Sequence, residues 1–502
     1  MKLKKVLYTF AVLALVLGAY FLGQKNTGSS LSYTDSSSGK SYAGGVTEET
    51  GTSNADDVAA KAARVTVTVK AGESIQEAVK AAEPGTIIRV MPGLYHETVY
   101  IDKDDISLIG VIEKGERATL DGKGEMNDAI LYSGNNFVVE NFKITKYKGN
   151  AIMGQAGNNF EIRNNQIVDT GVYGIFPQLG KNGIVEYNVV SGIEDAAIYI
   201  GMSDNVHVAH NDVFDSVAGI EIENSRHAIV ENNYVHNNTG GVLAFITPGL
   251  PIKTTYDVII RNNFISGNNH PNFAAPGSTV SGIPAGTGIL IMAADQVVIE
   301  DNIISDNKTA GILITDHENA SSVSFDPESE PNPDEVAILN NVMLNNGYDT
   351  ITEVKALMAL ELKQANPDIV AVGGGTGSCI INRHRYNVVG ISDYTDCDFT
   401  NTDDILTYQL ATPVPPREIK PSERGMIAYL GVCTGCHAYS GRLVGPPVQI
   451  IQALYMDDPE GLMAYIKDPT KKRPDFPEMP SQAYLGDETL RAVADYMLAL
   501  EK

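Results

Sequence analysis

Short apolar phrases recur along the middle of the chain, and a second apolar phrase ending in asparagine follows most of them. The first phrases start at Ala129, Ala151, Gly174, Ala197, Gly219, Gly241, Gly288 and Gly311. Successive starts are 22, 23, 23, 22, 22, 47 and 23 residues apart. A fixed period of this length with strand-forming phrases is typical of a solenoid, and it predicts a right-handed parallel β-helix.

An asparagine recurs 14 residues after the phrase start, directly or once loop insertions are allowed, at Asn165, Asn188, Asn211, Asn233, Asn263, Asn302 and Asn341. A side-chain amide carries both donors and an acceptor, so amides stacked from coil to coil can satisfy one another. We interpret this row as a structural ladder.

Strand alternation assigns the faces of each opening strand. The first position after the phrase start is Ile or Val and is predicted to point inward. The outward positions form an outer stripe that is apolar, aromatic and acidic: Leu131, Met153, Gln155, Phe176, Gln178, Tyr199, Glu221, Glu223, Leu243, Phe245, Leu290, Met292 and Leu313. A solvated wall does not need such residues, so we expect an inserted loop, a partner or a ligand to cover the stripe.

The 47-residue coil carries two insertions, around TPGLPIKTTYD and NNHPNFAAPGSTVSGIPAGT. They could wall a groove, or simply pack over the stripe. In a groove, Asp195, Tyr199, Glu221 and Glu223 are the candidate catalytic residues. The acidic insertion TDHENASSVSFDPESEPNPDE reads as a solvated loop, and Ca²⁺ on the β-helix is a further candidate because carboxylates suit that ion.

The phrases AGIEIENS, NNTGGVLAF, HPNFAAPGSTV and IPAGTGILI resemble a family of exported parallel β-helix repeat proteins within the pectate-lyase-like superfamily. The resemblance covers roughly residues 65–399. It implies a fold shared with polysaccharide lyases, mannuronan epimerases and copper-maturation factors. The superfamily's sugar enzymes use Arg, Lys or His as base, whereas the outer stripe has no Arg or Lys, so the enzyme reading stays an alternative.

Near the C-terminus, Cys433, Cys436 and His437 form a Cys-x-x-Cys-His motif, the pattern of covalent haem c attachment. Both thiols can reach one haem from a single helix face, and the adjacent imidazole can ligate its iron. The surrounding phrases VGPP and PEMP resemble class I cytochromes c, which implies Met479 as the second axial ligand. The competing interpretation of Met479 is a surface methionine, like the nearby Met456 and Met463.

Cys379 and Cys397 are predicted to form a disulfide, with a pair of buried free thiols as the alternative. Three early lysines precede the uncharged run Val6–Gln24, which predicts an exported chain, with an uncleaved anchor favoured over a removed signal peptide. The net charge of −25 argues against nucleic acid as a partner.

The predicted fold class is mainly β: a right-handed parallel β-helix followed by a small all-α cytochrome c domain. The predicted segments are a signal anchor or signal peptide (1–24), a flexible linker (25–60), the β-helix (61–400), a proline-containing linker (401–420) and a mono-haem class I cytochrome c (421–502).

We therefore predict an electron-transfer protein of the periplasm or cell envelope, anchored to the inner membrane by its N-terminal helix. Its partners would be a redox protein of the envelope and, along the β-helix, a polysaccharide or an envelope partner. The alternatives are a lyase or epimerase, a protein-docking scaffold, and a metal-delivery scaffold, for which the relevant side chains are His207, His210, His227 and His236.

Overall fold

The computed structural model describes residues 64–320 and 326–501. The predicted anchor and flexible linker, at residues 1–24 and 25–60, lie outside these ranges. Within them, no helix has the length and apolar character needed to cross a bilayer.

Strands in the described residues form three long sheets, and every pairing within them is parallel. Each regular coil contributes one strand to each sheet, so the chain winds as a parallel β-helix. Sheet 1 holds Val99–Ile101, Ile130–Tyr132, Asn150–Gln155, Tyr173–Gln178, Ala196–Gly201, Ala218–Glu223, Gly240–Phe245, Thr287–Met292, Ala310–Thr315, Ile369–Val372 and Val388–Val389.

Sheet 2 holds Thr66–Val69, Ile87–Val90, Ser107–Gly110, Val138–Glu140, Glu161–Arg163, Lys181–Glu186, Asp204–Ala209, Arg226–Glu231, Tyr256–Arg261, Asp295–Glu300, Ala337–Leu339 and Cys379–Ile380. Sheet 3 holds Gly93–Tyr95, Ala118–Asp121, Lys143–Thr145, Gln166–Val168, Val189–Ser191, Asp212–Phe214, Tyr234–His236, Phe264–Ser266, Ile303–Ser305 and Val342–Leu344.

Helices in the described residues are short, and most lie after the β-helix. The α-helices are Ile75–Ala81, Thr352–Leu360, Arg424–Ala428, Val448–Leu454, Pro459–Lys467 and Asp487–Ala499, and Tyr429–Cys433 is a π-helical turn. Single 3₁₀ turns lie at Thr279–Gly282, Arg383–Arg385, Pro421–Glu423 and Ala483–Leu485. The expected all-α domain is thus a segment of short helices, in which Asp487–Ala499 packs on Arg424–Ala428 and on Pro459–Lys467.

The asparagine ladder forms as predicted. Asn188 illustrates its bonding: the side-chain amide donates to Asn211 Oδ1 at 3.1 Å and to the carbonyl of Ile162 at 2.9 Å. Its own oxygen accepts from the backbone and side-chain nitrogens of Asn165. The chain of amides continues unbroken to Asn341. Each amide therefore joins two coils while being fully buried.

A second ladder, which the sequence analysis missed, runs through Asn238, Asn268, Asn307 and Asn346 with amide contacts of 3.0–3.2 Å. It starts one corner later in the coil, after sheet 3. The signal was present in the sequence, because each of these asparagines follows a residue of the first ladder by five positions.

The two faces of sheet 1 build two separate apolar clusters. The inward residues, such as Ile152, Ile175 and Ile198, belong to the solenoid interior. The outer stripe forms a second cluster. It is covered by the loop around Val280, by helix Thr352–Leu360 and by the C-terminal segment. The expectation that something covers the stripe is confirmed, and the inserted loop around Val280 is part of that cover.

The proline-containing linker lies along the β-helix, held by hydrogen bonds. Thr402 bonds to Glu300, and Tyr408, Leu410 and Val414 bond to asparagines of three successive coils. The chain thus runs back along the solenoid axis from its last coils to its middle. This path delivers the C-terminal segment to the outer stripe.

We expect Asn188→Ala to destabilise the protein by ~2–4 kcal/mol, because several buried backbone and amide groups lose their partner at once. The measurement is the midpoint of urea unfolding. Gln166→Ala, on the exposed face of sheet 3, is the matched control and should leave the midpoint nearly unchanged. Equal midpoints for the two variants would contradict the structural role of the ladder.

Candidate functional site

The Cys-x-x-Cys-His motif lies at the end of the π-helical turn Tyr429–Cys433. The amides of Cys436 and His437 both donate to the carbonyl of Cys433, at 3.1 and 3.0 Å, so the motif closes a tight turn. Cys433 is buried in the apolar cluster of the C-terminal segment, and Cys436 is partly buried. Neither forms a disulfide in the described residues, which leaves both thiols available for covalent attachment.

His437 is oriented by two neighbours. Its Nδ1 bonds to the carbonyl of Pro446 at 2.8 Å, so Nε2 is the nitrogen that can ligate a metal. Gly445 packs against the ring so closely that a Cβ there would lie 2.4 Å from Cε1. Burial lowers the pKa of His437, with the Pro446 bond acting against this shift. The neutral imidazole that results is the ligating form.

Met479 packs, half-buried, against the same apolar cluster that contains Cys433. Met463 also contacts this cluster, from helix Pro459–Lys467, whereas Met456 is 71% exposed. Helices Arg424–Ala428 and Asp487–Ala499 cross closely at Gly425, where a Cβ would lie 2.1 Å from the carbonyl oxygen of Ala492.

These residues fit haem c by their donor chemistry. Two thiols in one turn, a neutral imidazole with its Nδ1 already bonded, and a thioether on the same apolar cluster are the groups that hold such a haem. The observed feature that supports this match is the bond between His437 Nδ1 and the carbonyl of Pro446.

The motif turn lies directly on the outer stripe of sheet 1. The amide of Gln178, from strand Tyr173–Gln178, donates to Thr434 Oγ1 at 2.9 Å and to the carbonyl of Leu430 at 3.3 Å. Gly435, between the two cysteines, touches Phe176 so closely that a Cβ there would lie 2.6 Å from the ring. The β-helix therefore contacts the residues between the cysteines themselves.

Further contacts fix the C-terminal segment on both sides of the motif. Tyr484 packs on Tyr100 with ring centroids 4.7 Å apart and bonds to Gln155. On the other side, the amide of Tyr439 donates to the carbonyl of Gly249 at 3.1 Å, in the inserted loop. The contact surface thus spans several coils.

The candidate catalytic residues Asp195, Tyr199, Glu221 and Glu223 are brought together beside this turn, and all are buried. Phe176 and Tyr199 stack with centroids 4.3 Å apart, and the Tyr199 hydroxyl donates to Glu223. A small cleft lined by the three carboxylates also touches Gly435 and Leu443 of the C-terminal segment. The three carboxylates are therefore enclosed between the outer stripe and the C-terminal segment.

Burial dominates the electrostatics of these carboxyls. It raises the pKa of Asp195 to about 8, and the charges of Glu223 and Glu194 add to the rise. Burial likewise raises the pKa of Glu221 and of Glu223. Glu221 Oε1 is buried without a hydrogen-bond partner among the described residues, as are Oε1 of Gln155 and of Gln178. The sequence did not indicate that Gln155 and Gln178 would contact the C-terminal segment.

Cys379 and Cys397 are joined by a disulfide, with Cα atoms 4.9 Å apart, in the pairing that the sequence predicted. The bond links the last strand of sheet 2 to the chain that leads into the linker.

The histidines suggested for metal delivery do not converge. His207, His227 and His236 each contact a carboxylate of a neighbouring coil: Glu231, Asp204 and Asp212, respectively. His210 stacks on Tyr187. Across residues 64–320 and 326–501, no group of three or more His, Cys, Asp or Glu side chains is arranged to hold a metal ion.

Comparison with known proteins supports the β-helix. The family described as "Right handed beta helix region" matches residues 125–249 and 246–355. No curated protein matches the chain.

Similar solved structures include the AlgE4 A-module mannuronan C-5 epimerase of Azotobacter vinelandii, at 12% identity, with 62% of this chain and 85% of that chain covered and a TM-score of 0.40. An alginate lyase from Paenibacillus sp. str. FPU-7 has 15% identity, 57% and 99% coverage and a TM-score of 0.43. A DFA-IIIase from Arthrobacter chlorophenolicus A6 has 14% identity, 64% and 90% coverage and a TM-score of 0.41. Structural similarity at this level of identity and TM-score does not indicate which reaction, if any, this chain catalyses.

The raised pKa of Asp195 predicts a pH-dependent stability. Between about pH 4 and pH 8 the unfolded chain releases this proton while the folded chain keeps it, so the group's contribution to folding becomes less favourable as pH rises. Asp195→Asn removes this effect. Its unfolding free energy relative to the parent should increase by at least ~1 kcal/mol from pH 5 to pH 8.

Urea unfolding at the two pH values measures this difference. Asp215→Asn, at an exposed turn, is the control and should show no such trend. A flat difference for Asp195→Asn would contradict the burial of a protonated carboxyl.

Proposed function

We propose that the C-terminal segment carries one covalently bound haem c and that the protein transfers electrons. Thioether bonds from Cys433 and Cys436, with His437 and Met479 as axial ligands, would hold the group. The observation that carries the proposal is the orientation of His437 by Pro446 and Gly445 within a Cys-x-x-Cys-His turn. Haem iron held by His and Met supplies outer-sphere electron transfer at a raised potential.

In this proposal the protein's own residues position and shield the site. The Pro446 carbonyl keeps the proton on Nδ1 of His437, so the lone pair of Nε2 would be free to bind the haem iron. Gln178 and Phe176 hold the turn between the cysteines against the β-helix. The buried outer stripe would help to keep water away from a haem attached at the motif turn. The β-helix would thus serve as a rigid seat for the electron carrier.

The predicted location and partners are part of the same proposal. A disulfide persists in an oxidising compartment, which supports export to the periplasm or envelope. We infer that residues 1–24 anchor the chain to the inner membrane. An envelope redox protein would exchange the electron, and its contact surface would lie on the helical segment, since the stripe is covered.

The axial assignment is tested on the full chain expressed with a c-type maturation system. Met479→Ala should lower the reduction potential by on the order of 100 mV, because a thioether ligand raises it, and should let CO bind the reduced iron. Met456→Ala, at a nearby exposed methionine, should change neither property. Replacing Cys433 and Cys436 by Ala should abolish haem retention through acid-acetone extraction.

An unchanged potential and no CO binding in Met479→Ala would reject Met479 as ligand and direct attention to Met463. A parent chain that matures without retained haem would reject the proposed function.

A second candidate function is a polysaccharide lyase or epimerase, favoured by the unpartnered Oε1 of Glu221 beside Asp195 and Glu223. A buried carboxyl can act as a general acid when it is protonated and as a general base when it is ionised. In the described conformation the C-terminal segment covers these groups, so turnover would require its displacement. Ca²⁺ on the β-helix would belong to this candidate, bound where carboxylates and substrate meet.

Turnover of acidic and neutral polysaccharides, with and without Ca²⁺, tests this candidate through unsaturated or epimerised products. If the groove is catalytic, Glu221→Gln should lower the rate at least ~100-fold, because a positioned acid or base is lost. Glu113→Gln, at an exposed position, should keep the parent rate. Absence of product across the panel would leave electron transfer as the function.

A further inference from the structure

Three buried carboxyls, those of Asp195, Glu221 and Glu223, have no role in holding the haem or in passing an electron through it. They line one cleft on the outer face of sheet 1, where Tyr199 pairs with Glu221 and Gly201 with Glu223 in adjacent coils. Their exposed fractions are 9%, 2% and 6%. We call them the carboxyl cluster. Because like charges in so dry a place cannot all ionise, the cluster shares protons among its members.

The cleft beside the carboxyl cluster keeps unused hydrogen-bonding capacity. Glu221 Oε1 and the hydroxyl of Ser278 both line it, and neither oxygen has a hydrogen-bond partner among the described residues. Ser278 comes from the inserted loop and is only 3% exposed, so its unpaired hydroxyl is independent of the acids. The volume of the cleft, about 20 Å³, is enough for one water molecule. The site can therefore accommodate a proton carrier between two buried oxygens.

No side chain that lines the cleft in the described part of the chain supplies a positive charge. The inserted loop contributes Ser278, Thr279 and Val280, and the C-terminal segment contributes Gly435, Leu443 and Val444. The other titratable groups that act on the cluster or on the motif beside it are acids as well: Tyr173, Glu194, Tyr199, Asp128 and Cys436. The protonation of the cluster is therefore sensitive to any cation placed next to it.

The haem-attachment motif adjoins the same cleft. Gly435, between the two cysteines, is one of the lining residues. Burial raises the pKa of the Cys436 thiol to about 12, and the charges of Asp128 and Asp195 add to the rise, so Asp195 and Cys436 lie within electrostatic reach of each other. A group attached through Cys436 would share this neighbourhood.

The redox state of a haem changes the charge that such neighbours experience. Ferric haem carries one positive charge more than ferrous haem, and a positive charge favours the ionised form of a nearby carboxyl. At the effective dielectric constant of a protein, a unit charge about 10 Å away changes the proton affinity of a carboxyl by roughly tenfold. Reduction removes this charge, so it strengthens the binding of a proton.

We propose that the carboxyl cluster is a redox-linked proton site, which binds a proton when the haem is reduced and releases it when the haem is oxidised. On reduction, one electron from the redox partner enters the iron and one proton from solvent forms an O–H bond with a carboxylate of the cluster. Oxidation reverses both transfers. This inference rests on the proposed electron transfer and adds proton coupling to it.

Reduction potentials of the haem-loaded full chain, measured from about pH 5 to about pH 9, test the proposal. We expect the potential to fall as pH rises, because the reduced form holds the proton more tightly. The total fall should be at least about 30 mV, which corresponds to a threefold difference in proton affinity for a one-electron couple. The triple variant Asp195→Asn, Glu221→Gln and Glu223→Gln should lose this fall. The double variant Asp215→Asn with Glu113→Gln, at exposed positions, is the control and should keep it.

Two further measurements do not depend on the folding of the triple variant. Glu223→Gln alone should move the fall to lower pH, because after burial the charge of Glu223 is the largest cause of the raised pKa of Asp195. The infrared difference spectrum between reduced and oxidised parent protein should contain a protonated-carboxyl band that grows on reduction.

The outcomes separate this inference from the function on which it rests. A haem protein whose potential does not change with pH would overturn the inference alone. A fall and an infrared band that the triple variant retains would assign the proton to the carboxylates of the haem itself and would also overturn it. A chain that matures without haem would reject the proposed function, and this inference with it.

Discussion

The outer stripe of sheet 1 must be kept from water, and the arrangement of the C-terminal third of the chain depends on this constraint. A coil of a β-helix can bury its inward residues by stacking on its neighbours, but its outward residues find no cover in the solenoid itself. Phe176, Tyr199, Leu243 and Phe245 point outward and are nevertheless buried. Their cover comes from residues distant in sequence, which explains why a segment of short helices with a small core is held in one place.

The same contact determines the electrostatics of the candidate site. Asp195, Glu221 and Glu223 would be ordinary surface acids on an open solenoid, and the C-terminal segment removes them from solvent. Their pKa values are raised first by this burial, and the charges of neighbouring carboxylates add to the rise for Asp195 and Glu221. The docking combines apolar packing, as between Phe176 and Gly435, with hydrogen bonds from the amide nitrogens of Gln178 and Gln155.

The features that follow from local periodicity could be predicted from the sequence. Alternation placed Ile152 and Ile175 inside and Met153 and Phe176 outside, and the constant offset of Asn188 and Asn211 revealed a ladder. The Cys-x-x-Cys-His turn could be predicted because its hydrogen bonds join residues only three or four positions apart. The inserted loop was a predicted candidate for the cover of the stripe, and Val280 lies there. The C-terminal part of the cover could not be predicted, because the contact of Gln178 with Thr434 joins residues 256 positions apart and neither residue type is diagnostic.

The linker shows most clearly why composition was insufficient. Its prolines predicted only a linker, yet the backbone groups of Tyr408, Leu410 and Val414 are bonded to asparagines that already occupy left-handed bends in successive coils. Those asparagines present amides at the coil period, so an extended chain can bond to one coil after another. Upstream, the same chain is bonded to Glu300 and Arg261 on the outer face of sheet 2, and downstream it brings the motif turn to the outer stripe. One hydrogen-bonded path along the axis thus connects the two faces, so a change in its register would alter the cover of sheet 2 and the position of the motif together.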